Sequence, residues 1–147
     1  MNRKLLYGLI GGGVALLAEA IKVSKEPLVC NQIECHPFLD QDKLIAATRK
    51  AGMAVVAYSP IARGSAKGND VLERIGKAHG KTAAQVCLRW LTQQGIAVIP
   101  RTSKIERLHE NHDVLDWDLS DAEMKEIAGL TRTGNRIVDW AWSPKWD

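Results

Sequence analysis

Apolar residues recur along this chain with two periods. Val14, Leu17, Ala18 and Ile21 lie three or four apart, the spacing of one helical face. Lys25-Glu26-Pro27 ends that pattern, because the residue before a proline avoids helical angles. Leu28-Val29-Cys30 then reads as a short strand. A second helical pattern starts at Asp40, with Leu44, Ile45 and Thr48 on one side, and Gly52 stands where a left-handed C-terminal cap is wanted. The run Ala54-Val55-Val56-Ala57-Tyr58 predicts a second strand directly after it. A glycine-containing loop leads to a helix from about Asp70 to His79 and another from Thr82 to Gln94, opened by Thr82 with Gln85 as a capping box. Ile96 to Ile99 is wholly apolar, as expected of a third strand covered on both faces. Two further helices are opened by Ser103 with Glu106 and by Ser120 with Glu123, each pair again spaced as a capping box.

Strands that alternate with helices call for parallel β-α units, since a parallel crossover needs about a dozen residues or more. The class is therefore α/β. Three strands leave open a doubly wound sheet or a slice of a barrel, and no glycine fingerprint of a dinucleotide fold follows any of them. A length of 147 residues suits one domain.

Composition narrows the function classes more than it refines the fold. Apolar residues at 46% and charged residues at 25% describe an ordinary globular chain with no low-complexity tail. A net charge of +3, scattered over the length, gives no basis for a nucleic-acid partner. Cys30, Cys35 and Cys87 are an odd set, which points to reduced thiols and a cytoplasmic protein. Arg3 and Lys4 before an apolar run, with Ala18-Glu19-Ala20 beyond it, have the outline of an export signal. The helical face from Val14 to Ile21 runs through that cleavage position, and the run is too short to span a bilayer, so the expectation is no membrane partner. His36 lies near Cys30 and Cys35, but no second pair stands at ligand spacing, and no metal is expected.

The barrel alternative is favoured by four stretches of sequence. Ile99-Pro100-Arg101-Thr102, followed by Arg107 and Glu110-Asn111, is similar to a signature of the aldo-keto reductases. Asn31-Gln32-Ile33-Glu34-Cys35-His36-Pro37 and Ala57-Tyr58-Ser59-Pro60-Ile61 resemble the stretches after that family's sixth and seventh barrel strands. The segment Gly80 to Trp90 resembles the helix before the eighth. The likeness extends to bacterial 2,5-diketo-gluconate reductase-like members, and it implies the C-terminal half of a (β/α)8 TIM barrel, a partial barrel of about three parallel strands with surrounding helices. On that reading residues 14–147 form the half-barrel and residues 1–13 an atypical leader.

The resemblance also implies a site for NADPH. Arg101 and Arg107 would meet the adenosine 2′-phosphate, with Thr102 donating to it and Ser103 capping the helix that points at it. Glu110 and Asn111 would bind the adenine edge. Ser59, Ile61, Arg63 and Gly64 would lie over the pyrophosphate. Gln32 would hold the nicotinamide carboxamide, and Tyr58 would stack on the ring. Trp140 and Trp142, in the C-terminal segment, would wall the pocket for a carbonyl substrate.

The same comparison exposes departures. The family's catalytic Asp, Tyr, Lys and His lie on earlier barrel strands, and none has a counterpart here; Tyr7 and Tyr58 are the only tyrosines. Leu9-Ile10-Gly11-Gly12-Gly13 stands where the family shows Ser-Asn-Phe after a strand. The expectation is thus a truncated reductase, inactive alone, with a non-catalytic self-assembling module as the alternative. Strands bearing Val29, Val55 and Val98 would be left uncovered, which calls for a homo-oligomer or a complementary half-barrel.

Overall fold

The computed structural model describes residues 7–10, 13–132 and 135–139. Its sheet contains one strand more than the sequence pattern gives. The strands are β1 (Tyr7–Ile10), β2 (Leu28–Glu34), β3 (Ala54–Tyr58) and β4 (Ala97–Val98), in spatial order β1-β2-β3-β4 with every neighbouring pair parallel. Helix α1 (Val14–Val23) connects β1 to β2, and α2 (Asp42–Lys50) connects β2 to β3. The longer crossover to β4 holds α3 (Asp70–His79) and α4 (Ala83–Gln93); α5 (Ile105–His112) and α6 (Asp121–Ala128) follow. This is the expected α/β architecture with the leader contributing β1.

Register ties Ile10, Gln32, Val56 and Ala97 into one row across the sheet. On β2 and β3 the side chains alternate between two faces. Asn31, Ile33, Val55 and Ala57 are buried beneath the helices, whereas Cys30, Gln32, Val56 and Tyr58 on the other face keep intermediate exposure. Two expectations are corrected by this alternation. Val55, at 2% exposure, and Val98, packed against the same core, lie on the covered face, so of the three valines only Val29 is exposed. The last strand is not covered on both sides either, since Ala97 and Ile99 are exposed.

Two apolar clusters hold the layers together. Leu17, Ile33, Leu44, Val55, Leu91 and Ile96 fill the space between sheet and helices, while Leu72, Ile75, Val86, Leu119 and Ile127 join α3, α4 and α6. Fully burying each such side chain contributes about 2 kcal/mol. Trp90 packs against both clusters and satisfies its indole N–H on the Met124 carbonyl at 3.2 Å. The buried Asn31 side chain donates to Thr48 Oγ1 at 3.0 Å, and that hydroxyl donates to the Leu44 carbonyl, which ties β2 to α2 through polar groups.

The capping boxes at Thr82/Gln85 and Ser120/Glu123 form as expected. The third does not. Helix α5 starts at Ile105 with Lys104 as its cap residue and no side-chain cap bond, because Thr102, one position before Ser103, takes the backbone instead. The Thr102 hydroxyl accepts from the Lys104 N–H at 3.1 Å and donates to the Lys104 carbonyl at 3.3 Å. Gly52 adopts φ +74°, the left-handed cap its position demands. Among the described residues no helix is long and apolar enough to cross a membrane.

Candidate functional site

Parallel strands deliver their C-terminal ends to a single edge of the sheet. Gln32 lies two residues before the end of β2, Tyr58 ends β3, and Arg101 follows β4 by three residues, so the three share that edge. Tyr58 is half-buried and paired in register with Glu34. Burial first, and the Glu34 charge second, raise its phenol pKa against the pull of Arg136 and Arg63. The phenol therefore stays protonated and neutral around pH 7.

The loop after β3 is held in an unusual backbone state. Ser59, Ala62 and Arg63 adopt φ of 51°, 48° and 52°, and Gly64 adopts 97°. Left-handed non-glycine residues are uncommon and cost of order 1 kcal/mol or more each. Their persistence needs anchors. Ala62 is 2% exposed, and Ile61 packs on the α3–α4–α6 cluster. Hydrogen bonds from the Ala62 and Gly64 N–H groups to Ser59 and Ile61 carbonyls, both 2.9 Å, close the turn.

Arg101, Ser103 and Arg107 are exposed, and Thr102 is half-buried. Helix α5, which carries Arg107, Glu110 and Asn111, buries none of its own residues. Polar groups from α4 and the turn before it hold it in place. Thr82 Oγ1 donates to Glu110 Oε1 at 2.6 Å, and Gln85 Nε2 donates to the Glu110 and Asp113 carbonyls at 3.2 and 3.0 Å. Lys81 pairs with Asp113 at 2.7 Å. One oxygen of Glu110 is thereby already engaged by the protein. The Thr82 and Gln85 ties were not read from the sequence beyond their capping role.

Glu34 is the buried carboxylate that the sequence reading passed over. Its side chain has 0% exposure and accepts from His36 Nε2 at 3.1 Å, Ile137 N–H at 2.6 Å and Val138 N–H at 2.9 Å. His36 Nδ1 accepts the Phe38 N–H at 3.3 Å, which leaves Nε2 as the ring donor to Glu34. Burial alone would raise the Glu34 pKa; the His36 and backbone hydrogen bonds outweigh it and hold the carboxyl below its ordinary value. The alternation that puts Gln32 on the open face puts Glu34 there too, and this was the available signal.

Trp140 and Trp142 lie outside the described residues. An open groove of about 750 Å³ runs beside α5, lined by Leu108, His109, His112, Asp113, Leu115 and Asp116, and none of the predicted coenzyme residues lines it. Among the described residues no group of three or more His, Cys, Asp or Glu could hold a metal.

Comparison with known proteins fixes the lineage. The model of the aldo/keto reductase family matches residues 6–132. The chain belongs to that family. Relatives of this aldo/keto reductase chain include an NAD(P)H-dependent D-xylose reductase of Aspergillus niger, 35% identical over 146 residues, covering 90% of this chain and 46% of the relative. An aldo-keto reductase of Mycolicibacterium smegmatis is 44% identical over 107 residues, covering 73% and 38%. The crystal structure of a protein assigned as 2,5-diketo-D-gluconic acid reductase B superimposes with a TM-score of 0.92 at 38% identity, covering 97% of this chain and 51% of that one. The aldo/keto reductase chain thus spans about half the length of the curated relatives it matches. The fold is the corresponding part of the family's TIM barrel.

Proposed function

We propose that this chain binds NADPH along the C-terminal edge of its sheet, as the coenzyme-holding part of a carbonyl reductase. The carrying observation is the convergence of Gln32, Tyr58 and Arg101 at one edge, with the left-handed loop of residues 59–64 following the middle strand. The residues present fit the group. Arg101 and Arg107, exposed and permanently charged, suit the 2′-phosphate, and Thr102 adds a hydroxyl. Ser59, Ile61, Arg63 and Gly64 suit the pyrophosphate through the Ser59 hydroxyl, the Arg63 charge and a backbone left open to close approach at Gly64. The second oxygen of Glu110, with Asn111, suits the adenine edge, and Ser103 lies at the start of that helix.

Bound NADPH supplies a hydride to a carbonyl carbon. The protein's part is to hold and orient it. Gln32 offers an amide to the carboxamide, and the neutral Tyr58 ring offers a face to the nicotinamide. Support for the nicotinamide class comes from relatives named as NAD(P)H-dependent or NADP-dependent enzymes. Reduction itself further needs an acid of the kind the family carries on its earlier strands, and we propose that this chain does not supply one. The outer edges of β1 and β4 have no further strand among the described residues, which supports pairing with a second copy or with the front half of a barrel. Cytoplasmic placement accords with the reduced thiols.

Fluorescence titration of NADPH against NADH tests the reading. The expected result is tighter NADPH binding, with the preference reduced at least about tenfold in Arg101→Ala/Arg107→Ala, since a charged hydrogen bond is worth about 1.5–3 kcal/mol. Equal affinity for the two coenzymes in the unmodified chain removes the 2′-phosphate site.

A further inference from the structure

Glu34 is the one Asp or Glu in the buried class among the described residues. A buried carboxylate is costly unless donors surround it, and here two of its three donors are consecutive main-chain amides from residues more than a hundred positions away. We propose that Glu34 is a positioning residue that fixes where the C-terminal segment crosses the nicotinamide-facing end of β2, by gripping the main chain at Ile137 and Val138 beside Gln32 and Tyr58. The role assigned to Gln32 and Tyr58 rests on the coenzyme reading above; the grip itself does not.

The contacts around Glu34 form a sequence leading to it. Thr131 Oγ1 donates to the Pro37 carbonyl at 3.2 Å, Arg132 N–H to the Phe38 carbonyl at 3.3 Å, and Asn135 Nδ2 to the same carbonyl at 3.1 Å. Arg136 then reaches Gln41 Oε1 at 3.4 Å, while Gln41 Nε2 donates to the Glu34 carbonyl at 2.7 Å. The segment therefore runs along the loop after β2 and ends on the Glu34 carboxylate. A carboxylate is the side chain that can accept two adjacent N–H groups and an imidazole at once; an amide has a single acceptor oxygen. Because the grip is on backbone, it does not depend on which side chains residues 137 and 138 carry. Glu34 lies two residues past Gln32 on the same strand face and opposite Tyr58 in register, so a shift of the segment is felt at the nicotinamide end first.

The charged and titratable groups interacting with this carboxylate are His36 and Cys35 on the same strand end and Tyr58 on β3, with Arg136 and Arg63 acting on Tyr58. The folded pKa is depressed, so the grip is complete above glutamate's ordinary value and is lost as pH falls through the lower folded one.

The experiment uses the full chain without coenzyme. Trypsin cleavage after Arg136 is followed in wild type, Glu34→Gln and His36→Gln. Glu34→Gln places an amide N–H against backbone donors, and cleavage is expected to rise at least about tenfold, equivalent to about 1.4 kcal/mol. His36→Gln keeps the carboxylate and the two backbone bonds, and is expected to cleave near the wild-type rate. In wild-type protein, where folding is not in question, the amide NMR signals of Ile137 and Val138 should titrate together with the Glu34 carboxyl, below the ordinary glutamate value. Unchanged cleavage in Glu34→Gln, equal acceleration in both variants, or amide signals that do not follow that carboxyl each overturn the proposal. Absence of NADPH binding would leave these readouts unaffected, so the two proposals fail separately.

Discussion

Replacing Gln85 by leucine tests how α5 is held. The residue is 5% exposed, and leucine is close to it in size, so the change removes hydrogen bonds with little change in packing. Its Oε1 accepts the Thr82 N–H at 2.9 Å, which is half of the α4 capping box. Its Nε2 reaches the Glu110 carbonyl, the Asp113 carbonyl and Asp113 Oδ2 at 3.2, 3.0 and 3.0 Å. Loss of the capping half costs about 0.5–1 kcal/mol. The bonds to Glu110 and Asp113 cost about 0.5–1.5 kcal/mol each at most, reduced because water reaches these partly exposed partners. A total of about 2 kcal/mol is expected. Urea unfolding followed by circular dichroism should show the midpoint lowered by about 1 M at constant slope.

Hydrogen exchange localises the effect. Helix α5 has no buried residue to hold it once those bonds are gone, so its amides should exchange about tenfold faster, while those of β2 and β3 change only with global stability. A midpoint within ~0.2 M of wild type, with α5 exchange unchanged, would mean that the docking of this helix rests on something other than Gln85.

Three further outcomes follow from packing and burial. Gly76→Ala places a Cβ 2.5 Å from the Lys81 carbonyl oxygen, a backbone atom that cannot swing aside, so a loss of about 2 kcal/mol is expected in thermal melts. Leu72→Ala, at a fully buried position, should cost about 2–5 kcal/mol, whereas Leu108→Ala, 60% exposed, should stay within about 0.5 kcal/mol by the same melts. Burial pushes the Cys35 and Cys87 thiols up to about 12, so at pH 8 iodoacetamide should label Cys30 first and reach the other two only on unfolding, read by mass spectrometry.

The helices were legible because their signals are local. Apolar spacing placed the first two, and the Ser/Thr-x-x-Glu/Gln pattern marked the starts of the fourth and sixth with capping boxes that form. The same pattern failed at Ser103, where the competing hydroxyl of Thr102 closes a tighter turn on Lys104. Strand β2 runs four residues further than the apolar run suggests, because the polar Asn31 and Gln32 are paired on both sides and Glu34 is paired with Tyr58 on β3. Strand β1 was not read from the leader, since four residues acquire strand character only by pairing with β2. Within the site, the family resemblance picked out Gln32, Tyr58 and Arg101, and the parallel strand order brings them to one edge. The Glu34 grip joins residues 103 and 104 positions apart, a relation that no local period contains.

The two ends of the proposed coenzyme path differ in how firmly they are built. Gln32 and Tyr58 stand on strands whose alternate residues, Ile33 and Ala57, are at 1% and 0% exposure, so their positions follow the core. Arg107 stands on a helix with no buried residue, docked by Thr82, Gln85 and Lys81, and its carbonyl and carboxylate partners can exchange these bonds for water at little cost. A rigid nicotinamide end keeps reacting atoms aligned, where small displacements cost rate. At the adenosine end a phosphate meeting two arginines can tighten α5 onto α4, and part of the interaction free energy then goes into ordering that helix. Coenzyme binding should on this argument slow amide exchange in α5 far more than in β2 or β3, and equal slowing in all three would place the adenosine end somewhere other than α5.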